Sequence, residues 1–569
     1  MSTSHFNRII NFISAFNIFT SLLLFSDLFG FNCWVTIHRA TSLVRFNAPQ
    51  PLWFISVIFS SALLLYMVFR GFYASLTSIV VALASYVILG FGWATLIYAF
   101  STFILFLYEF GFDGWTVLSM IIILCIFEFI SLVYWVFLYP LNLKVPLIYD
   151  LASLELLSSS LLSSLSPMVL VFMLYFWILK PLLSFFNIRF GGLAIDGLFS
   201  RKSIVDFAIL SASIVISVAA SIYPYIPSLN PNFYPVGVDF RYYEEALRGF
   251  EVNPWSVFRF FGGSRPLLIP ILYVFKCLFG FDVRTTVTFA PIILNPLLVF
   301  SIFMVVWMGF GDLRLASTSA LFTSIGFKIS VNMYSYFLAN VSALIFIFLS
   351  LSLLFLHLHS KSKVALIFAV VLYNLALLIH PWTYVQFSGS LALFLLYSMF
   401  KFRGVVGVLR EYYGVFLMLA PSIPLALVLL IPGGSQFWVI YGLFRALNLS
   451  NLYNYWYNSF FIGFILYGGF QLNFFTLISA LMALLAPSHG VCDDILRFTV
   501  IASSIAYPFL DAMLQSRVLF NLPLEVYSAM LIYWVSISKS IGSRMRSSII
   551  SLAFLSQLNY LFRCLANVI

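Results

Sequence analysis

The stretch Thr285–Met308, TTVTFAPIILNPLLVFSIFMVVWM, contains no Asp, Glu, Lys or Arg. About 20 consecutive apolar residues in a helix are enough to cross the hydrocarbon core of a bilayer. The stretch therefore predicts a transmembrane helix. Further apolar runs on both sides of it are also predicted to be spans, among them Val117–Leu138, Ile204–Tyr223, Ala316–Ile329, Val331–Phe355 and Val518–Ser536.

The composition of the whole chain is that of an integral membrane protein. Of its 569 residues, 63% are hydrophobic, whereas soluble domains contain roughly 45–50% apolar residues. The strands of a transmembrane barrel would alternate in character over segments of roughly 10 residues, and the long continuous runs favour helices instead. We predict an all-α, polytopic transmembrane protein with about seventeen helices, several of them near the lower length limit for a span.

The charges predict how the chain is oriented in the membrane. The chain has 29 Lys and Arg residues against 19 Asp and Glu residues. In a membrane protein such an excess marks the cytoplasmic loops, so we predict a multi-pass protein of the cell membrane without a nucleic-acid partner. With Arg201 and Lys202 on the cytoplasmic side, the alternation of spans places residues 224–282, His380 and Arg517 on the outer side.

A change in composition near residue 190 divides the chain. Glycines and basic residues interrupt the apolar pattern between Asn187 and Ser203, which is typical of a boundary between modules. We predict one part at residues 1–190, made of transmembrane helices of unassigned role, and a second transmembrane module at residues 191–569. In its outer loop, the apolar run Pro266–Phe279 is short for a span and is predicted to lie in the membrane interface.

The same outer loop gathers an unusual number of charges. Residues 238–248 read VDFRYYEEALR, in a chain that is 8% charged overall. Glu244 and Arg248 have the spacing of a helix-stabilising ion pair. Asp239 precedes the predicted helix, where a carboxylate is suited either to cap the helix or to perform chemistry.

Two segments of this loop resemble a known family. The text GVDFRYYEEALRGF, followed by GSRPLLIPILYVFKCLFGFD, is similar to the first large outer loop of GT-C-type polytopic glycosyltransferases, which include protein mannosyltransferases and aminoarabinose transferases. The resemblance is best over residues 200–430, with a looser similarity at QSRVLFNLPLEVYSA near the end. It implies a GT-C-like helical core with a long first outer loop that contains interfacial helices.

The resemblance also implies a reaction. Such enzymes move a sugar from a polyprenyl-phosphate donor onto a protein, lipid or glycan acceptor at the outer face of the membrane. A carboxylate is needed to deprotonate the acceptor hydroxyl, and Asp239 is the predicted base. Members of the family often carry a second acid directly beside the first, and Phe240 stands there in this chain. Glu244 or Glu245 is then the possible second acid, and both are candidates for substrate binding.

The leaving group of this reaction is a lipid phosphate, so cationic side chains should stabilise its charge. Three residues at the predicted outer boundary are candidates for substrate binding: Arg265, His380 and Arg517. The alternatives are that the arginines extend to the membrane surface from apolar helices, and that His380 is a histidine stabilised at a helix end.

No cofactor or metal site is predicted. The five cysteines are scattered, and no cluster of Cys, His or acidic residues has the spacing of metal ligands. A multi-pass transporter or flippase of lipid-linked or small substrates is the alternative function. Transporters place polar residues at the membrane midplane, whereas the ionisable residues here concentrate at loop boundaries, which favours the enzyme.

Overall fold

The computed structural model describes residues 114–141, 143, 204–258, 265–401, 404–421, 474–507, 510, 512–538 and 541–566. The regular structure of these residues is helical and contains no strand, which confirms the all-α prediction in this part of the chain. The predicted boundary near residue 190 lies outside the described residues. So do the predicted spans of the first third other than Val117–Leu138.

The described α-helices are numbered in chain order. They are α1 (Gly114–Val133), α2 (Ile204–Ile222), α3 (Phe240–Val252), α4 (Leu268–Phe279), α5 (Val283–Phe310), α6 (Leu313–Ser324), α7 (Phe327–Ser335), α8 (Leu338–Ser360), α9 (Lys363–Ile379), α10 (Pro381–Lys401), α11 (Val405–Leu419), α12 (Phe474–Leu485), α13 (Val491–Ala506), α14 (Ala512–Asn521), α15 (Leu524–Ile537) and α16 (Ser543–Ala566). A π-helical turn, Tyr134–Leu138, extends α1, and short 3-10 turns lie at Tyr223–Tyr225 and Pro254–Phe258.

Within the described residues, 5 helices are long and apolar enough to cross a membrane. They are α2 with the 3-10 turn that follows it, α5, α8, α10 and α16. The prediction of a multi-pass membrane protein agrees with these lengths and compositions. The predicted total of about seventeen spans extends over segments that are not described.

The chain divides into two compact units, which are treated separately below. Unit one contains α1 and the part of α16 up to Asn559. Inside it, the Asn559 side-chain amide donates to Glu128 at 2.7 Å, and the Asn559 oxygen accepts from Ser131 at 3.2 Å. Unit two contains α2 to α15 and the remaining residues of α16.

The centre of unit two is built around α5 and α8. Helix α5 packs against α2, α6 and α8, and α8 also packs against α9. Buried amides link these helices, since Asn295 donates to Ser221 at 2.9 Å and accepts from Asn332 at 2.8 Å. Between helices in a lipid environment, small residues and side-chain hydrogen bonds of this kind supply much of the association.

Two of the predicted spans are each broken into two helices. The predicted span Val331–Phe355 changes direction at Tyr336, which has left-handed backbone angles (φ 60°) between α7 and α8. The predicted span Val518–Ser536 is interrupted at Pro523, between α14 and α15. Proline has no amide hydrogen and clashes with the preceding helical turn, so the second break has a local cause that a count of apolar residues does not reveal.

The predicted span Ala316–Ile329 is also divided, with α6 ending at Ser324 and α7 beginning at Phe327. Lys328, just after this break, is fully buried. Its ammonium donates to the Leu522 carbonyl at 2.6 Å and to the Glu525 carboxylate at 2.8 Å. A buried charge is tolerated only when it is paired and hydrogen-bonded, and this pair ties the α6–α7 break to the α14–α15 break.

Candidate functional site

Asp239 is held at the end of helix α7 by its backbone. The amide of Val238 donates to the Tyr334 carbonyl at 3.0 Å, and the amide of Asp239 donates to the Ser335 carbonyl at 3.3 Å. The last carbonyls of a helix lack partners within the helix, so the loop before α3 satisfies them. Asp239 is thereby fixed relative to the core of unit two, although it lies in a long loop.

The Asp239 carboxylate does not cap the helix that it precedes. It is the N-cap residue of α3 but makes no side-chain capping hydrogen bond. Asp282 and Asp312, by contrast, each accept a hydrogen bond from a backbone amide at the start of α5 and α6. The capping alternative therefore does not account for Asp239, whose carboxylate is half-buried.

Two arginines act on this carboxylate. Burial raises the pKa of Asp239 above its ordinary value, and the positive charges of Arg517 and then Arg265 act in the opposite direction. Arg265 is oriented by Tyr243, because its guanidinium donates to the buried Tyr243 hydroxyl at 3.1 Å. The same hydroxyl accepts from the Ala339 amide at 3.3 Å, which connects α3 to the start of α8.

Arg265 and Arg517 come from distant parts of the chain. The residue two positions after Arg265, Leu267, donates its amide to the Leu378 carbonyl at 3.2 Å, so the start of α4 lies beside the end of α9. Arg517 lies on α14, and its guanidinium carbon is 5.5 Å from the centroid of the Phe337 ring. This is a cation–π distance, and it holds Arg517 against the junction of α7 and α8.

His380 lies in the connection between α9 and α10 and is 1% exposed. Burial lowers its pKa well below the ordinary value, and the charges of Arg265 and Arg517 lower the pKa further. Burial and the two arginines therefore oppose a positive charge on the imidazole, and a stabilising charge at a helix end does not explain it. After Asp239, His380 is the second predicted residue that the fold brings beside the arginines.

The structure brings together four of the six predicted site residues. We call Asp239, Tyr243, Arg265, His380 and Arg517 the Asp239 cluster. The cluster also contains Tyr243, which was not among the predicted site residues.

The two remaining predicted residues point elsewhere. Glu244 forms an ion pair with Arg248 at 2.7 Å, as its helical spacing predicted. Glu245 is exposed. The electrostatic partners of Asp239 are the two arginines and not these glutamates, so the structure does not bring the predicted second acid to the cluster.

An apolar cavity of about 190 Å³ begins beside the Asp239 cluster, with Arg517 in its wall. It lies between α10, α13 and α14, and its apolar wall includes Trp382, Gly389, Ala502, Ala506, Leu514 and Val518. An apolar pocket with a few convergent polar groups is the usual form of a ligand site. The sequence did not indicate this cavity, because α10 is distant in the chain from α13 and α14.

A chain of polar side chains lies behind the cluster. Asn521 donates to the Thr383 hydroxyl at 3.2 Å and to the Gln386 oxygen at 2.8 Å. Gln386 in turn donates to Ser503 at 2.8 Å. The signal available in the sequence was a set of uncharged polar residues inside otherwise apolar predicted spans, which is costly in lipid unless the groups find partners.

The position of Asp239 also depends on a close contact at Gly237. This glycine has a φ of +101°, and a Cβ atom there would lie 2.8 Å from the Cβ of Tyr336. The Tyr336 hydroxyl donates to the Val287 carbonyl. That carbonyl lies one helical turn before Pro291, which has no amide hydrogen to donate. The Tyr336 hydroxyl therefore supplies the hydrogen bond that the helix itself cannot make, and this bond holds the tyrosine in place.

We expect Gly237→Ala to reduce any activity of the Asp239 cluster at least tenfold, because the added methyl displaces residues 237–239 from Tyr336. The measurement is turnover alongside a thermal melt. Gly280→Ala is the matched control, since Gly280 also has a left-handed φ (+67°) but has no atom within 4 Å of the added Cβ. An equal loss of turnover in both variants would show that the effect comes from backbone strain alone.

Within the described residues, no group of three or more His, Cys, Asp or Glu side chains is arranged to hold a metal ion. An acid, two arginines and a buried histidine are the residue types that acid–base and electrostatic chemistry on an anion requires.

Comparisons with known proteins identify no family. No protein-family model matches the chain, and no curated protein matches it. The described residues therefore define a class only: a helical protein with 5 helices long and apolar enough to cross a membrane, which carries an acid beside two arginines, one of them in the wall of an apolar cavity.

Proposed function

We propose that this protein is a GT-C-type membrane glycosyltransferase of the cell membrane. It moves a sugar from a polyprenyl-phosphate donor to a protein, lipid or glycan acceptor at the outer face. One observation carries the proposal: Arg517 lies both in the wall of an apolar cavity and within electrostatic reach of Asp239. A lipid phosphate combines an apolar chain with an anion, and this arrangement matches both halves of such a ligand.

The acceptor hydroxyl attacks the anomeric carbon of the sugar. The bond between that carbon and the phosphate oxygen breaks, the electron pair leaves with the polyprenyl phosphate, and Asp239 takes the hydroxyl proton. A positioned carboxylate typically contributes about 10²–10⁴-fold to such a step. The burial that raises the pKa of Asp239 makes it a stronger base than an exposed aspartate.

The departing phosphate is stabilised by charge and does not need a proton. Its negative charge grows as the glycosidic bond breaks, and preorganised cations in a water-poor site stabilise that charge most effectively. Arg265 is oriented by Tyr243 and Arg517 by Phe337. Both guanidinium groups are thus held in place before the substrate arrives.

The cavity accommodates the first part of the lipid chain. Its volume of about 190 Å³ is similar to apolar cavities of about 150 Å³ that hold a benzene ring. One or two isoprene units fit this space, and the rest of the carrier extends into the bilayer.

The direct test is binding of farnesyl phosphate, which has the phosphate and the isoprene units but no sugar. We expect the purified protein in nanodiscs to bind it, and to release polyprenyl phosphate from a sugar-loaded donor when acceptor is present. Failure of the wild-type protein to bind farnesyl phosphate would refute the proposal without any knowledge of the sugar.

Gly389→Leu tests the cavity. A Cβ atom at Gly389 meets nothing within 4 Å, so the larger side chain fills the cavity without displacing its wall. We expect the affinity for farnesyl phosphate to fall about tenfold or more, since each buried CH₂ group of the ligand contributes about 0.8 kcal/mol. Gly542→Leu is the control, because that glycine also has open space and belongs to unit one. Unchanged affinity in Gly389→Leu would exclude the cavity as the lipid site.

A transporter or flippase is the second candidate, and the broken helices favour it. Discontinuous helices near buried charges are typical of transporters, and the buried Lys328–Glu525 pair lies at such breaks. The two functions separate in a vesicle experiment with a sugar-loaded polyprenyl phosphate. The enzyme cleaves the bond between sugar and phosphate, whereas a flippase moves the intact lipid between leaflets and releases no polyprenyl phosphate.

A further inference from the structure

The orientation of the His380 ring is determined by Thr383. The Thr383 backbone amide donates to His380 Nδ1 at 3.2 Å, and the Thr383 hydroxyl lies 2.7 Å from the same nitrogen. A backbone amide can only donate, so Nδ1 is the acceptor and carries no proton. In a neutral imidazole the other nitrogen then carries it, and His380 Nε2 is an N–H donor.

The polar chain behind the ring supports the same tautomer. Gln386 donates to the Val518 carbonyl at 3.1 Å, so its amide nitrogen is fixed by a group that can only accept. Its oxygen therefore accepts from Asn521. Asn521 also donates to the Thr383 hydroxyl, which leaves the hydroxyl proton directed at His380 Nδ1.

His380 Nε2 is buried and has no hydrogen-bond partner among the residues that the structure describes. A buried donor without an acceptor is unfavourable, so the arrangement indicates a ligand that supplies the acceptor. The charged groups that act on the ring are Arg265, which precedes α4, and Arg517 on α14. Both are cations, and they oppose protonation of the imidazole.

Resting on the function proposed above, we propose that His380 donates a neutral hydrogen bond from Nε2 to an oxygen of the lipid phosphate. The two arginines that act on His380 are the same two that act on Asp239, so a phosphate bound by these arginines lies within reach of the ring. Two arginines already supply two positive charges. A neutral third donor helps to fix the orientation of the bound phosphate without adding a further charge.

This role makes a prediction about pH. A histidine that binds as a cation loses its contribution as the pH rises through its pKa, near 6.5 for an unperturbed group. A neutral donor contributes equally on both sides of that value. The phosphate of the probe titrates in the same range, so the informative quantity is the ratio of affinities between variant and wild type at each pH.

The experiment measures binding of farnesyl phosphate to the wild type, H380A and H380Q in nanodiscs from about pH 5.5 to 8.5, a range that brackets histidine titration. We expect H380A to bind about tenfold more weakly at every pH, as for loss of a hydrogen bond to a charged group. H380Q, whose amide reproduces an N–H donor, should recover most of the affinity. H357A is the control. His357 is also buried, but it lies in the last turn of α8, where its ring contacts the Ser362 carbonyl.

The outcomes separate the two proposals. A wild-type protein that does not bind farnesyl phosphate refutes the transferase proposal and this one with it. Binding by the wild type and H380A with equal affinity refutes only the role of His380, and a loss in H380A that disappears at high pH shows that a cationic ring binds instead. If H380A does not fold, ¹⁵N-histidine spectra of the wild type decide, because the Nε2–H signal must shift when farnesyl phosphate is added.

Discussion

Asp239→Asn is expected to reduce sugar transfer about a thousandfold, at the scale of losing a general base, and to leave the protein folded and inserted. Asparagine has nearly the same shape but cannot accept the proton of the acceptor hydroxyl. The backbone amides that hold this segment to Tyr334 and Ser335 are unaffected. Since the carboxylate makes no capping bond, helix α3 loses nothing in the variant.

The pH dependence of transfer supplies a second readout for the same residue. A general base works in its deprotonated form, so transfer falls as the pH is lowered through the pKa of Asp239. Burial raises the pKa of Asp239 above its ordinary value, and the acid limb should therefore lie at a higher pH than for an exposed aspartate. The residual activity of Asp239→Asn should lack this limb.

Glu244→Gln is the matched control for Asp239. It removes a carboxylate from α3, the helix that Asp239 precedes, and it breaks a surface pair with Arg248, a kind of interaction that contributes little to stability. We expect nearly full transfer by this variant. Normal turnover by Asp239→Asn would eliminate Asp239 as the base, and a large loss in Glu244→Gln would make that glutamate the second acid that the family resemblance suggested.

Arg517→Ala is expected to weaken binding of farnesyl phosphate about 10- to 100-fold, since a hydrogen bond to a charged group contributes about 1.5–3 kcal/mol. We expect this loss because Arg517 lies in the cavity wall and also acts electrostatically on Asp239. Arg517→Lys should recover part of the affinity, because lysine keeps the charge but loses the two-pronged geometry that suits a phosphate.

Arg248→Ala is the control for Arg517. Both residues are predicted to lie on the outer side, but Arg248 is exposed and pairs with Glu244. Its removal should leave the affinity for farnesyl phosphate unchanged. An unchanged affinity in Arg517→Ala, or an equal loss in Arg248→Ala, would show that the arginine contributes general positive charge to the surface and not a phosphate site.

The properties that depend on short stretches of sequence could be predicted. Apolar runs such as Thr285–Met308 indicated helices, and the structure contains α5 at Val283–Phe310. The spacing of Glu244 and Arg248 indicated their ion pair. These features follow from hydrophobicity and from contacts within one or two helical turns, and both are encoded locally.

The arrangement of the site depends on contacts that a linear pattern does not contain. Lys328 and Glu525 are 197 positions apart in the chain, and their pairing joins two of the helix breaks. The position of Asp239 beside Arg517 and the cavity between α10, α13 and α14 also arise from packing between remote segments.

The sequence by itself determined the helices, the membrane character and the residue types available for chemistry, because transfer free energy and helix geometry act over neighbouring residues. Only the tertiary structure decided which of those residues meet. It paired Glu244 with Arg248 at the surface and gathered four predicted residues and Tyr243 in one cluster, of which Arg517 lines the cavity. Side chains distant in sequence become neighbours only through the packing of whole helices.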